Sequence, residues 1–215
     1  EEEYERLIAD GIMVPVFTGK DAIMVRAWDE DPTAHTQDAE DRLNPQVAVE
    51  VYKINRGGTT DYIIRSKVLD VLYTNDRVHR FTQEIVFGKA VYEICDRLNI
   101  IPDMLHLNEA HTVVAAALMR ANPKFNRMAI VYTNHTIVPA GLEMFSAGQL
   151  RSDINRMMYV IGVPGSQAEK FRSIFLRQDG VVDFCYAAAQ LADIINGVSK
   201  EHGEATRKLL VSMYG

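Results

Sequence analysis

Two short apolar runs, Met104–Leu107 and Met128–Tyr132, each pass directly into a cluster of hydrogen-bonding side chains. The first cluster is His106, Asn108, Glu109 and His111; the second is Thr133, Asn134, His135 and Thr136. Thr112–Arg120 between them is rich in Ala and Leu, which favour a helix. Strand, crossover helix and parallel strand would put both clusters at one carboxyl edge of a sheet, where open α/β folds bind ligands. Upstream, Val78, Phe81, Ile85, Val91, Ile94, Cys95 and Leu98 recur at helical spacing over Asp76–Leu98. Gly88 interrupts that pattern, as a helix–helix packing site or as a kink.

The flanks obey the same logic. Glu1–Asp10 reads as a short acidic helix stopped by Gly11. Ile12–Phe17 and Ala22–Trp28 flank Thr18-Gly19-Lys20-Asp21 as a hairpin, and Val47–Ile54 with Asp61–Arg65 forms another across Arg56-Gly57-Gly58. Asp29–Asn44, with six acidic residues, reads as an exposed loop. Ser146–Gly162 and Ser166–Leu176 read as helices separated by Val163-Pro164-Gly165. Asp183 is placed as the N-cap of Phe184–Ile194, whose apolar face includes Leu191, Ile194 and Ile195. Asn196–Ser199 comes next as a short strand or turn, and a last helix lies near Glu204–Met213. The expected fold class is α/β: a β-rich antiparallel portion over 1–69 and a parallel-sheet, Rossmann-like portion over 70–215.

Composition narrows the function classes. The chain has 215 residues, a formal net charge of −6 and a pI near 5.5, which argues against nucleic acid or an anionic membrane as partner. Cys95 and Cys185 sit in helical apolar patterns and read as small buried hydrophobes of a reducing compartment. No apolar run is long enough for a membrane span. No signal peptide opens the chain, and the cytoplasm is the expected location. The chain opens mid-helix at Glu1-Glu2-Glu3-Tyr4 without an initiating Met, and a piece of a longer polypeptide is expected.

The polar clusters admit several chemistries. His106, Glu109 and His111 are metal-ligand types, but H-x-x-E-x-H is not the H-E-x-x-H that sets two histidines on one helical face, and no metal is expected. Asn108 and Glu109 could instead cap a helix beginning near Ala110, where a carboxylate suits the macrodipole. Thr and Asn of the second cluster could satisfy loop backbone groups. The density of hydrogen-bonding groups at two neighbouring strand ends points rather to a polyhydroxylated ligand. No nucleophile elbow, G-x-G-x-x-G loop or Walker loop is present, and neither cluster carries a basic phosphate clamp.

These residues also carry a resemblance. His106-Leu107-Asn108-Glu109-Ala110-His111 resembles the HLNEGH signature of the α-glucan phosphorylases, the glycogen and maltodextrin phosphorylase family. Tyr132–Gly141 (YTNHTIVPAG) resembles that family's T-N/T-H-T-x-x-P-A-G stretch, and Arg80-x-x-Gln83-Glu84-Ile85-Val86-Phe87-Gly88 its R-x-x-QEIVLG helix. Asn196–Glu204 (NGVSKEHGE) is similar to its NGVSxLHGE segment.

The resemblance implies the N-terminal half of a GT-B enzyme, with the active site in the cleft between two Rossmann-like domains. Its reaction would be phosphorolysis of α-1,4-glucan non-reducing ends to glucose 1-phosphate with retention, pyridoxal phosphate serving as the cofactor. It implies His135 as the catalytic residue, its backbone carbonyl facing the glucosyl ring and its side chain on sugar hydroxyls. Glu109 and His111 would line the sugar-side pocket, Asn134 would be an adjacent substrate-binding candidate, and His202 would be structural. α-1,4-Glucan and phosphate are the implied partners, with a homodimer and a C-terminal domain.

The chain departs from the pattern as well. The family's glycine-rich N-terminal loop, second domain and cofactor lysine are absent, Ala110 stands where Gly is usual, and Gly88-Lys89-Ala90 replaces a Gly-Gly pair. These residues alone are therefore expected to be inactive. A non-catalytic carbohydrate-binding or regulatory module and a nucleotide-sugar GT-B glucan synthase stay open beside the main reading.

Overall fold

The structure is a computed structural model, and it describes residues 2–26, 46–72, 74–146, 158 and 161–215. The expected loop Asp29–Asn44 and almost all of the expected helix Ser146–Gly162 lie outside the described residues. The chain separates into two compact units, Glu1–Thr74 and Asn75–Gly215.

In the first unit, helix α1 (Glu2–Ala9) ends at Gly11, which takes φ +68°. Four strands come after it: β1 (Val14–Phe17), β2 (Ile23–Arg26), β3 (Gln46–Arg56) and β4 (Thr59–Arg65). β3 and β4 form the expected antiparallel hairpin, Arg56 lying opposite Thr59. Gly57 and Gly58 turn it with φ +51° and +95°, the paired positive values of a tight two-residue hairpin turn. Among the described residues the other expected hairpin does not form. β1 and β2 both pair with β3, Val14 opposite Lys53 and Ile23 opposite Val49, so they run on along one edge instead of folding back on each other. The reason lies in Gly19–Asp21, a 3-10 turn that steps the chain forward without reversing it. Met13, Tyr52 and Ile54 form a core here with Leu7, Ile8 and Ile63 packed against it.

The second unit opens with α2 (Arg77–Arg97), whose N-cap Asp76 accepts from the N–H groups of Val78 and His79. Gly88 is a packing site. A Cβ there would come within 2.7 Å of Val114 Cβ on α3 (Val113–Ala121), so the two helices touch through the missing side chain. α3 connects β5 (Met104–Asn108) to β6 (Ala129–Asn134), which pair in parallel, and β9 (Ile194–Gly197) continues the sheet beyond β6. The short strands β7 (Met144–Phe145) and β8 (Val182–Asp183) pair antiparallel, flanking α4 (Ala168–Phe175) in sequence. Asp183 caps α5 (Phe184–Leu191), its carboxylate accepting from Tyr186 N–H at 2.8 Å.

The helix expected to reach Ile194 stops at Leu191, and Ile194 and Ile195 belong to β9. β-Branched residues favour the strand once a parallel neighbour is available. The last helix, α6 (Lys200–Tyr214), starts four residues before the expected point, with Ser199 as its N-cap. Phe81, Phe145, Phe175 and Phe184 pack together with centroid separations of 5.0 to 5.9 Å, forming an aromatic core. Both cysteines are free thiols. Burial pushes the Cys185 thiol up to about 12, which keeps it protonated and inert.

Candidate active site

The parallel register of β5 and β6 sets Asn108 opposite Thr133, so the two polar clusters leave the sheet side by side. The turn after β5 is not a helix cap. α3 begins only at Val113, and Glu109 takes φ +66°, a left-handed conformation uncommon for a residue with a Cβ. Its N–H donates to the carbonyl of Thr133 at 3.0 Å, and its carboxylate is carried across to the loop after β6. There Glu109 Oε1 accepts from His135 N–H at 2.6 Å and from the Thr136 hydroxyl at 3.1 Å. A charged acceptor on a backbone donor is about twice as strong as a neutral pair. Strain at Glu109 is thus offset by a bond that fixes the neighbouring loop.

His135 is held from every side. Its ring Nε2 lies 2.6 Å from Asn108 Oδ1, and since an amide oxygen only accepts, Nε2 carries the proton. The other ring nitrogen, an acceptor in the neutral ring, lies on an exposed side chain. The backbone carbonyl of His135 accepts from His202 Nε2 at 2.9 Å, and His202 Nδ1 meets Thr206 Oγ1 at 3.2 Å. His202 reaches the loop because Ser199 caps α6, accepting from His202 N–H at 3.1 Å. Gly197 lets the helix approach that closely: a Cβ there would lie 2.7 Å from Gly203 N and 2.8 Å from His202 Nδ1.

A second polar line crosses the strands. His106 Nε2 lies 2.6 Å from Thr133 Oγ1, which donates to Asn196 Oδ1 at 2.8 Å. Asn196 belongs to an open cleft of about 610 Å³ between β9 and α6, whose walls also include Lys200, Glu204 and Arg207.

His111 goes elsewhere. Its Nδ1 lies 2.9 Å from Glu84 Oε1 and 3.0 Å from Arg80 Nη2, and Arg80 also bridges Glu84 at 2.8 Å and Glu143 at 2.9 Å. Arg77 adds a bond to the Met144 carbonyl at 2.7 Å. The hydrogen bond to Glu84 raises the His111 pKa above its ordinary value, against the opposing effect of burial. Glu84, His111 and Glu143 bring their donor atoms within 4.8 Å of one another, close enough to cradle a cation. The Arg80 guanidinium already lies among them and supplies the positive charge.

Set against expectation, the structure joins Glu109 and His135 directly. The residues of the metal reading, His106, Glu109 and His111, turn to three different sets of partners. His111 lies in the ionic knot on α2, so a sugar-lining role there would be exercised from the knot and not from beside Glu109. Asn134 is fully buried: its amide donates to the Thr136 carbonyl and Thr206 Oγ1 and accepts from the Tyr132 hydroxyl. It holds the loop from beneath rather than facing the edge. His202, expected to be structural, touches the His135 carbonyl. Ser199-x-x-His202 is the available signal, a capping serine that puts His202 in the first helical turn.

Known proteins are similar to this chain in sequence and in fold. The starch synthase catalytic domain family matches residues 7–209. Glycogen phosphorylase of Mycobacterium tuberculosis is 26% identical over 174 residues, 68% of this chain and 20% of that protein. Maltodextrin phosphorylase of Thermococcus litoralis is 25% identical over 191 residues, 79% of this chain and 22% of that protein. Glycogen synthase of Desulforudis audaxviator is 29% identical over 151 residues, 66% of this chain and 27% of that protein. The chain therefore spans about a fifth to a quarter of the length of these relatives. In structure, it resembles the catalytic domain of starch synthase IV from Arabidopsis thaliana bound to ADP and acarbose. The TM-score is 0.57 at 14% identity, covering 93% of this chain and 38% of that one. The likeness to phosphorylases is accordingly one of two within a wider group. The chain belongs to the starch synthase catalytic domain family, and its fold is the Rossmann-like, N-terminal half of the GT-B arrangement.

Proposed function

We propose that this chain forms the sugar-side wall of a glucan phosphorylase, which cleaves α-1,4-glucan from its non-reducing ends with phosphate. The observation that carries the reading is the immobilised His135 peptide at the carboxyl edge of β6. Its N–H is on Glu109, its ring on Asn108 and its carbonyl against His202. In the reaction the bond from glucosyl C1 to the departing O4 breaks, a C1–O bond to phosphate forms, and the phosphate proton goes to O4. Positive charge develops on the ring before the new bond closes. A fixed carbonyl dipole directed at that charge lowers the barrier because it needs no reorganisation at the moment of reaction. The His135 ring, with Nδ1 open as an acceptor, takes a sugar hydroxyl.

The residues at this edge are a carboxylate, amides and imidazoles, a set suited to hydroxyls and not to a phosphate ester. Pyridoxal phosphate, which would supply a phosphate group as proton shuttle, is therefore assigned to chain beyond these residues, and no step here runs through it. The same reading carries a cytoplasmic homodimer and a C-terminal domain closing the cleft.

A second reading has its own support. The synthase family pattern runs over nearly the whole chain, and glycogen synthase is among the relatives. In a nucleotide-sugar synthase the same carbonyl would face the same glucosyl ring while a nucleoside diphosphate departs. Incubating the complete polypeptide with maltodextrin and phosphate separates the two. Phosphate-dependent release of glucose 1-phosphate, lost on removal of pyridoxal phosphate, is the expected result. Glucan elongation from a nucleotide sugar would select the synthase, and glucan binding with neither reaction would leave a binding module.

A further inference from the structure

We infer that His202 is a positioning residue, which aims the His135 carbonyl and is itself braced by a hydrogen-bond chain that reaches it from the core. The inference deepens the glucosyl-transfer reading and rests on it for its catalytic consequence. The chain starts at Tyr132, whose buried hydroxyl donates to Asn134 Oδ1 at 3.2 Å. The Thr136 peptide fixes which end of the Asn134 amide is oxygen: its carbonyl can only accept and takes Nδ2 at 2.6 Å, its N–H lies 3.4 Å from Oδ1, and Nδ2 also donates to Thr206 Oγ1 at 3.2 Å. Thr206 is buried, with 3% of its surface exposed, and its hydroxyl already accepts from Asn134. Its own proton can turn to His202 Nδ1, which lies 3.2 Å away. The His135 carbonyl can only accept, so His202 Nε2, 2.9 Å from it, carries a proton, and in the neutral ring Nδ1 is the acceptor for Thr206. The tautomer of a half-buried imidazole is thus set by the His135 carbonyl and matched by a buried hydroxyl behind it.

The same arrangement explains two positions in NGVSKEHGE. Gly197 leaves the space in which His202 Nδ1 and Gly203 lie, and Ser199 fixes the helical turn from which the ring projects. The His135 peptide is then gripped at both ends, its N–H by Glu109 and its carbonyl by His202. One lone pair of that carbonyl is used by His202, which leaves the other for the developing charge on the sugar.

Two substitutions separate this role from mere space filling. In His202→Gln the amide nitrogen falls near the place of Nε2 and still donates to the carbonyl. In His202→Asn the amide falls near Nδ1, keeps Thr206 and cannot reach the carbonyl. In the complete polypeptide, His202→Asn should lower kcat about thirtyfold with the glucan KM little changed, whereas His202→Gln should stay within about threefold of wild type. Independently of activity, amide exchange of the segment containing His135 and Thr136 should quicken about tenfold in His202→Asn and much less in His202→Gln. Equal behaviour of the two variants in exchange overturns the positioning inference. Unequal exchange with equal kcat overturns its catalytic part. If wild type transfers no glucosyl unit from either donor, the proposed function fails, and the exchange contrast still decides whether His202 positions the loop.

Discussion

Glu109 and His111 stand two residues apart in one motif and serve two different constructions. Glu109 reaches forward to the loop after β6 and holds a backbone N–H and a hydroxyl. His111 reaches back to α2 and joins a knot of charges in which Glu84 is 2% exposed. The first construction is amide and imidazole chemistry around a single carboxylate, open to solvent at His135. The second is ionic and largely buried, with Arg80 bridging Glu84 and Glu143. The knot also ties α2 to the segment downstream of the His135 loop, since Glu143 and the Met144 carbonyl both receive arginine bonds. One construction sets the direction of a peptide group; the other sets where the loop carrying it is anchored. The difference shows that motif adjacency is not functional adjacency.

The sharpest way to break this division is Glu109→Ala. It removes the acceptor for His135 N–H and Thr136 while leaving the knot intact. Glucosyl transfer by the complete polypeptide should fall about a hundredfold or more, with the urea midpoint of unfolding nearly unchanged. An equal loss of stability would mean that Glu109 is chiefly structural. Glu84→Ala should do the reverse. Arg80 and His111 lose a buried partner, and unfolding free energy should drop by about 3 kcal/mol. Transfer per folded molecule should change only severalfold, because the His135 peptide keeps all its bonds. A Glu84→Ala variant that is stable but inactive would merge the two constructions into one.

How far the sequence reveals this division depends on the range of the interactions involved. β5, α3 and β6 are legible because apolar runs and an Ala-rich stretch carry their own periodicity, and Asp76 and Asp183 announce their caps. The β1–β2 hairpin is misread because a Gly-containing turn signal does not tell whether the chain reverses or steps along an edge, and pairing with the distant β3 decides that. At the site, the density of polar groups at two strand ends is visible, and so is the pairing of strands that brings them together. The left-handed backbone at Glu109 is not, since nothing local to Asn108-Glu109-Ala110 demands it; the Thr133 carbonyl and the His135 N–H do. His202 escapes for a related reason. The apolar pattern starts its helix too late, and the partner that gives it meaning lies 67 positions away.

The smallest effect tests the knot through pH. His111 binds its proton more tightly folded than unfolded, because the hydrogen bond to Glu84 favours the charged ring. The stabilisation from this link is whole below the unfolded value of about 6.5 and is lost as pH climbs through the raised folded value. The side chain is 39% exposed, so solvent screening keeps the contribution to about 0.5 kcal/mol. Other groups titrate over the same range, so the measurement is a difference. The urea midpoint of wild type minus that of His111→Gln should be positive at pH 5.5 and shrink toward pH 8.5. Arg80 works against the link: its Nη2 can donate to His111 Nδ1 only when that nitrogen is bare, so it favours the neutral ring. If the arginine prevailed over the carboxylate, the difference would grow with pH instead. The sign of that slope therefore tells which of the two partners His111 answers to, and so whether the knot closes on a charged ring or a neutral one.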